Sequence, residues 1–551
     1  MSETRLDTPW WQHAVAYQIY PRSFCDSNGD GVGDIPGILS KLDHLAELGI
    51  GFIWLSPVYA SPMADNGYDI SDYDAIAPEF GTMDDMERLI AEAQARGIGI
   101  VMDLVVNHSS DEHAWFQAAR SSLMDPKRDW YIWRDPDGDG GPPDDQQSFF
   151  GGPAWTLDPL TGQYYYHLFD PKQPDLNWEN PDMRAEIWAM MNRWFDRGIA
   201  GFRMDVIDLI GKVVDAEITA DGPRLHAYIQ ELHRETLAGR DVVTVGEAWS
   251  ANLDNALLYT GRDRGELSMV FQFSHVTQGW DPEFGKWRVR ARDLVGLKRV
   301  FNAWQLALED DGWNSLFWSN HDLPRAVSKY GDDSPQWRVR SAKALATVLH
   351  LMKGTPYVYQ GEEIGMTNTV FARIDDFDDV EIRNNFPGVT ARGLSPEDFL
   401  EGANANGRDN ARTPVQWTAG PGAGFTTGTP WLPVNPNADT INAAADRADP
   451  DGVFQHYKSL IALRNRLDII THGRFVPLLE EHPDVWAYAR ERDGKRLTIV
   501  ANLTSAPVHV ELPPEASVTG TWLTTTAEPR DTLAGGVDLA PWEAVAVLGE
   551  I

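Results

Sequence analysis

Short runs of almost unbroken apolar residues alternate along this chain with longer segments whose apolar positions recur every three to four residues. The runs occupy 14–24, 52–58, 98–108, 201–206, 242–248, 267–273, 315–322 and 356–362. Ile98-Gly-Ile-Val-Met-Asp-Leu-Val-Val106 is representative. A strand reads this way when both faces are buried, as in a parallel sheet covered by helices. The helix-period segments lie at 35–48, 83–96, 183–197, 224–237, 294–309 and 336–352. Eight β runs in this rhythm predict an α/β chain closed as a (β/α)8 TIM barrel rather than an open sheet.

Two long irregular stretches break the rhythm, 109–178 after the third run and 363–452 after the eighth. The first is rich in Asp, Gly, Pro and aromatic residues. It is expected to form a small domain inserted in a strand-to-helix loop, on the barrel face that carries active sites. Past residue 480 the pattern becomes short alternating strands. The expected division is a barrel of residues 1–108 and 179–479, an inserted domain of 109–178, and a C-terminal antiparallel β-sandwich domain of 480–551.

Composition narrows the function. The 551 residues carry 82 Asp+Glu against 47 Lys+Arg, a net charge of −35. So acidic a surface repels nucleic acid and anionic membranes and suits a small neutral substrate. A single cysteine, Cys25, allows neither an internal disulfide nor a cysteine zinc site. The first eleven residues lack the apolar core of a secretory signal, and no run of about 18 apolar residues occurs. A cytoplasmic monomer without a membrane partner is expected. Serine-hydrolase, zinc-protease and P-loop motifs are absent from the sequence.

The polar groups cluster at the C-terminal ends of the predicted strands. In Gly201-Phe-Arg-Met-Asp-Val206, the two-residue period puts Arg203 and Asp205 on one face. A guanidinium beside a carboxylate favours the anion, so Asp205 is expected to titrate low and to be available as a nucleophile. A buried pair that only braces the barrel has the same pattern. The fifth run delivers Glu247, the seventh His321 and Asp322, and the third ends in His108. Crowding Asp205, Glu247 and Asp322 forces their proton affinities apart. An anionic carboxylate facing a protonated one, ~5–5.5 Å away, is what glycosidic cleavage with retention requires. Rings in the irregular segments (Trp130, Tyr131, Trp133, Phe149, Phe150, Trp155, Phe169) offer surfaces for apolar sugar faces.

The segments 103–108, 201–205, 246–247 and 320–322 resemble, in order, four signature regions of the α-amylase family, glycoside hydrolase family 13, and Gln173-Pro-Asp-Leu-Asn177 resembles its fifth. The resemblance spans essentially the whole chain. It implies Asp205 as nucleophile, Glu247 as general acid/base and Asp322 as a third carboxylate gripping sugar hydroxyls. It implies further that His108 and His321 bind hydroxyls of the same glucose, that Arg203 orients Asp205, and that no cofactor takes part in catalysis. Asp65-Asn-Gly-Tyr-Asp69, which contains Tyr68, and Gly407-Arg-Asp-Asn-Ala-Arg-Thr-Pro-Val-Gln-Trp417 resemble motifs of the oligo-1,6-glucosidase and α-glucosidase branch. There Asp65 and Arg408 would pair and clamp the terminal glucose, giving exo action. Val206 after the nucleophile accompanies α-1,6 selectivity in that branch. Ala248-Trp249-Ser250 departs from the Met or Thr followed by Pro expected after the acid/base. An α-1,4-glucosidase or transglycosylase, a sucrose isomerase and a trehalose synthase are the alternatives. Arg373-Ile-Asp-Asp-Phe377 lacks the second arginine of the isomerase patch, which favours hydrolysis.

One further loop suggests a metal. Asp26, Asn28, Asp30 and Asp34 place side-chain oxygens at positions 1, 3, 5 and 9, with the Val32 carbonyl between them. Hard cations take such an array, although position 12 is Gly37 rather than Glu, so it is no EF-hand. The branch resemblance implies a structural Ca2+ (or Mg2+) here.

Overall fold

The computed structural model describes residues 8–526 and 533–551. Residues 1–7, part of the segment read for a secretory signal, and 527–532, part of the expected C-terminal domain, lie outside the described residues.

The eight apolar runs become β1 (Ala16–Ile19), β2 (Phe52–Leu55), β3 (Gly99–Leu104), β4 (Gly201–Met204), β5 (Val243–Glu247), β6 (Met269–Phe271), β7 (Ser315–Phe317) and β8 (Thr355–Tyr359). They form one parallel sheet in the order β6-β5-β4-β3-β2-β1-β8-β7, closed into a barrel by a parallel bridge between Val270 and Asn314. Each strand is shorter than its run. In the third, residues 105–108 continue beyond the ladder, and this overhang carries His108 to the barrel mouth. Gly201 opens β4 because a Cβ there would lie 1.8 Å from the Val243 carbonyl oxygen; only glycine lets β4 approach β5 so closely.

Helices cover the barrel where the periodicity placed them. The 35–48 segment divides into Ile35–Leu39 and Leu42–Leu48, whereas Met83–Gln94 is one helix started by a reciprocal Thr82–Asp85 capping box. Within 109–178, strands Trp133–Arg134, Trp155–Leu157 and Tyr164–Tyr166 make a small antiparallel sheet. An antiparallel bridge between His108 and Asp175 ties the two ends of the excursion together at the barrel mouth.

The stretch 363–452 is more regular than its sequence suggests. Helices Val380–Ala391 and Pro396–Asn406 pack Ile382, Val389 and Phe399 against Phe284 and Trp287 of the loop after β6. A proline and scattered glycines hide the period, but the pair forms a second wall of the barrel mouth.

The C-terminal sheet consists of β9 (Arg474–Leu478), β10 (Val485–Arg492), β11 (Lys495–Asn502), β12 (Gly520–Thr525) and β13 (Ala544–Glu550), in the order β9-β10-β11-β13-β12. A two-stranded sheet of Val508–Glu511 and Gly536–Leu539 shares its core. The expected boundary at 480 therefore falls one strand too late. Pro477 masks β9, and the strand tolerates it because it lies at the sheet edge. Among the described residues, no helix is long and apolar enough to cross a membrane.

Candidate active site

Asp205 stands one residue past β4, its N–H donating to the Leu104 carbonyl at 3.0 Å. Val206 follows at φ 35°, ψ 47°, the left-handed region, which costs a β-branched residue ~1–3 kcal/mol. Glu247 ends β5, the strand next to β4. Arg203 bonds to both acids. Its Nη1 donates to Asp205 Oδ1 at 2.6 Å and its Nη2 donates to Glu247 Oε2. Nη1 donates also to Asp103 Oδ1 at 2.8 Å. Two carboxyl groups held on the two arms of one guanidinium are necessarily close. Retaining glycosidases place their two carboxyl groups ~5–5.5 Å apart, and a shared guanidinium is one way to hold a pair side by side.

The electrostatics differ from the expectation at Asp205. Burial pushes its carboxyl well above the usual carboxylate range; Arg203 opposes this, while Glu247 and Asp103 reinforce it. Arg203 cannot hold Asp205 low because one cation is divided among three buried carboxylates. Asp103, unassigned as a reactive group at the sequence level, is the third member; burial raises it to about 6 against the pull of Arg203. Its Oδ2 also accepts from the Trp54 indole at 3.0 Å and the Tyr68 hydroxyl at 3.1 Å. With all three acids ionised the cluster would carry two net negative charges, and the buried Asp103 and Asp205 both hold their protons more tightly than a free carboxyl.

Asp322, expected to share that cluster, is held by a different set of groups. Burial opposes its ionisation, but His321 and the guanidinium groups of Arg408 and Arg412 hold it well below its ordinary value. Arg412 Nη2 reaches Asp322 Oδ1 at 2.7 Å and Arg408 Nη1 at 3.4 Å.

The four carboxylates thus divide into three that share Arg203 and one, Asp322, held as an anion by two arginines. A cavity of about 640 Å3 opens between them. Asp65, Tyr68, His108, Phe169, Asp205, Glu247, Asp322 and Arg408 all line it. Arg203 and His321 do not. His321 sits behind the wall with its ring stacked on Tyr68 (centroids 5.4 Å, 9° between planes), and its nitrogens meet Gln18 and the Tyr68 hydroxyl at 2.8 Å each. Burial lowers it to about 3 although Asp322, whose Oδ2 lies 3.1 Å from its Nε2, opposes the shift, and the ring links Tyr68 to Asp322 behind the cavity wall. His108 is neutral, lowered by burial to about 4, with Gln173 Nε2 and the Tyr68 carbonyl each 3.1 Å from its Nε2.

The expected Asp65–Arg408 pair is not formed among the described contacts. Arg408 Nε and Nη2 grip Asp379 at 3.0 and 2.6 Å, while Asp65 Oδ2 accepts from Gln173 Nε2 at 3.1 Å. Asp379 enters from the cap of helix Val380–Ala391. It precedes the helix in an acidic run, 375–379, whose sequence does not single out one member. Arg412 and Trp249, within the segments 407–417 and 248–250, also belong to the site. Trp249 is 43% exposed, and the aromatic and apolar side chains Phe149, Phe150, Val206 and Trp280 complete the cavity's outer part.

The metal donors are not gathered on one point. Asp26 Oδ1 accepts the Asn28 and Gly29 amides, and its Oδ2 accepts the Gly31 amide and the Thr426 hydroxyl. Asp34 accepts from Ser27 and Gly37, Asn28 from the Asp30 amide, and Asp30 from the Val32 amide. Among the described residues, no three acidic, histidine or cysteine side chains form a cation cluster. In this conformation the loop is closed by its own hydrogen bonds, and these residues do not fit an ion without rearranging.

Known proteins share this architecture along its full length. The chain is 56% identical over 547 residues to palatinase from Erwinia rhapontici, covering 98% of this chain and 99% of that protein. It is 52% identical over 525 residues to an oligo-1,6-glucosidase from Halalkalibacterium halodurans, covering 93% of each. The crystal structure of isomaltulose synthase from Klebsiella sp. LX3 superposes with a TM-score of 0.95 at 40% identity, covering 98% of this chain and 100% of that one. Residues 18–473 match the family described as alpha amylase, catalytic domain, and with that match the chain belongs to the α-amylase family of glycoside hydrolases, family 13.

Proposed function

We propose that this protein is a retaining, exo-acting α-glucosidase that removes the non-reducing terminal glucose from short α-glucosides, preferably α-1,6-linked ones such as isomaltose. The observation that carries the reading is the guanidinium of Arg203 holding both Asp205 and Glu247 on the wall of the cavity at the barrel mouth. Asp205 attacks the anomeric carbon while Glu247 gives its proton to the departing oxygen. The carboxylate of Glu247 then takes a proton from water, whose oxygen displaces Asp205 and restores the α configuration. Asp205 attacks as the carboxylate, so the reactive fraction of the enzyme is the one whose Asp205 proton has already passed to solvent. The positive charge developing on the sugar ring is stabilised by that anion. Asp322, anionic throughout, and Arg408 bind hydroxyls of the terminal glucose, which favours action at a chain end.

The α-1,6 preference is supported by Val206 in the cavity wall and by palatinase and oligo-1,6-glucosidase among the relatives. Hydrolysis over isomerisation is supported by Arg373. It is exposed, bonds to Asp376 at 2.9 Å and does not line the cavity. A cytoplasmic monomer needing no cofactor for catalysis, with a structural Ca2+ (or Mg2+) at 26–34 that reorients the carboxylates described above, completes the proposal.

The test is to follow initial products by NMR on isomaltose, maltose, sucrose and trehalose. α-Glucose should appear first, fastest from isomaltose, with sucrose giving free fructose rather than an isomer. Initial release of β-glucose would refute retention.

A further inference from the structure

Trp249 occupies the position where this chain departs from the expected motif, and the Arg203 chemistry does not account for it. It lies two residues past Glu247, and its indole Nε1–H donates to Glu247 Oε1 at 3.0 Å. The ring is fixed by parallel stacking on Phe273, with centroids 3.9 Å apart and 6° between planes. Phe273 is itself buried against Phe317. The indole nitrogen therefore faces the acid/base, while the residue lines the cavity and is 43% exposed.

The two oxygens of Glu247 are thereby distinguished. Oε2 is committed to Arg203 and the Val206 amide. Oε1 has Trp249 as its partner and is the oxygen left to exchange a proton with substrate. An indole N–H donates and cannot accept. It bonds well to a carboxylate and poorly to a carboxyl group whose proton must lie on that oxygen, since hydrogen bonds to charged groups are about twice as strong. We propose that Trp249 is a positioning residue that presents Oε1 to the glycosidic oxygen and stabilises Glu247 in the state it reaches once its proton has gone to the leaving group. In the first step the Glu247 O–H bond breaks, the proton joins the departing oxygen, the C1–O bond breaks and the Asp205–C1 bond forms. The indole bond strengthens as negative charge appears on Glu247. The benefit is greatest for a sugar leaving group, which needs full protonation, and least for a phenolate, which departs with little help.

This inference rests on Glu247 as acid/base, and the experiment separates the two. Initial rates are measured on isomaltose and on p-nitrophenyl α-glucoside, from pH 4 to 9, for the parent, Trp249→Phe and Glu247→Gln. Phenylalanine keeps an aromatic face toward Phe273 and removes only the donor. Its kcat/KM should fall about tenfold more on isomaltose than on the aryl glucoside, the scale of one charged hydrogen bond. The alkaline limb of its isomaltose profile should move to higher pH, because the proton is surrendered less readily. An isosteric benzothienylalanine at 249, which exchanges the N–H for sulfur, should give the same discrimination. Equal losses on both substrates, or a limb that stays in place, would overturn the role of the N–H. If Glu247→Gln itself shows no dependence on the leaving group, the assignment of Glu247 fails instead.

Discussion

Replacing Arg203 by methionine removes the cation that, among the described residues, is bonded to Asp103, Asp205 and Glu247 while keeping much of the side-chain volume. At a charge separation of ~4 Å and an effective dielectric of ~20, one guanidinium–carboxylate pair is worth ~4 kcal/mol. That equals about three pH units in the affinity of a carboxylate for its proton. Burial already raises Asp205, and Arg203 is the strongest influence holding it back. Without Arg203 the fraction of anionic nucleophile at neutral pH should drop by up to about a thousandfold, and kcat/KM with it. The acidic limb of the rate profile should move up by pH units, because the nucleophile must lose its proton to react, and some activity should return above neutrality. The three acids can take up protons, so circular dichroism should still report a folded barrel. The measurement is kcat/KM on isomaltose and an aryl α-glucoside across pH 4–9, paired with thermal melts. A folded Arg203→Met protein within tenfold of the parent at pH 6, with an unmoved limb, would show that the shared guanidinium does not govern Asp205.

Three further outcomes are expected. Asp379→Ala leaves the buried Arg408 with only longer contacts to Asp322 and Glu381, each at 3.4 Å; losing one partner of a buried pair costs ~3–5 kcal/mol. Tm should fall and the inhibition constant for glucose rise at least tenfold, and an unchanged constant would argue against a clamp at this end. Burial raises the folded carboxyl of Asp65 to about 7 from 3.8, despite Arg408 and Arg412. A raised value stabilises fully below the unfolded value and is lost as pH climbs through the folded one. Asp65→Asn should therefore gain Tm relative to the parent between pH 5 and pH 8; a constant difference across that window would contradict the burial argument. A chelator should lower Tm and spare kcat if an ion occupies 26–34, whereas loss of turnover by a still-folded protein would exclude a purely structural ion.

Local physics made much of this protein readable. Strands buried on both faces need continuous apolar residues, so all eight barrel strands stood out, and closure of a parallel barrel sends their C-terminal ends to one mouth. Asp205, Glu247 and Asp322 were consequently brought to one cavity. What required the folded chain were partnerships between residues far apart in sequence. Arg203 meets Asp103 from the neighbouring strand, one hundred positions away, and so cannot serve Asp205 alone. Arg408 takes Asp379 rather than Asp65 because a helix pair, hidden by Pro387 and scattered glycines, carries that acid to the barrel mouth. His321 turns into the barrel because Gln18 holds its Nδ1 while Tyr68 and Asp322 share its Nε2. The one-dimensional pattern states which side chains face inward and at what period. Which carboxylate receives a given cation depends on distances of a few ångströms across the closed barrel, and only tertiary packing sets those.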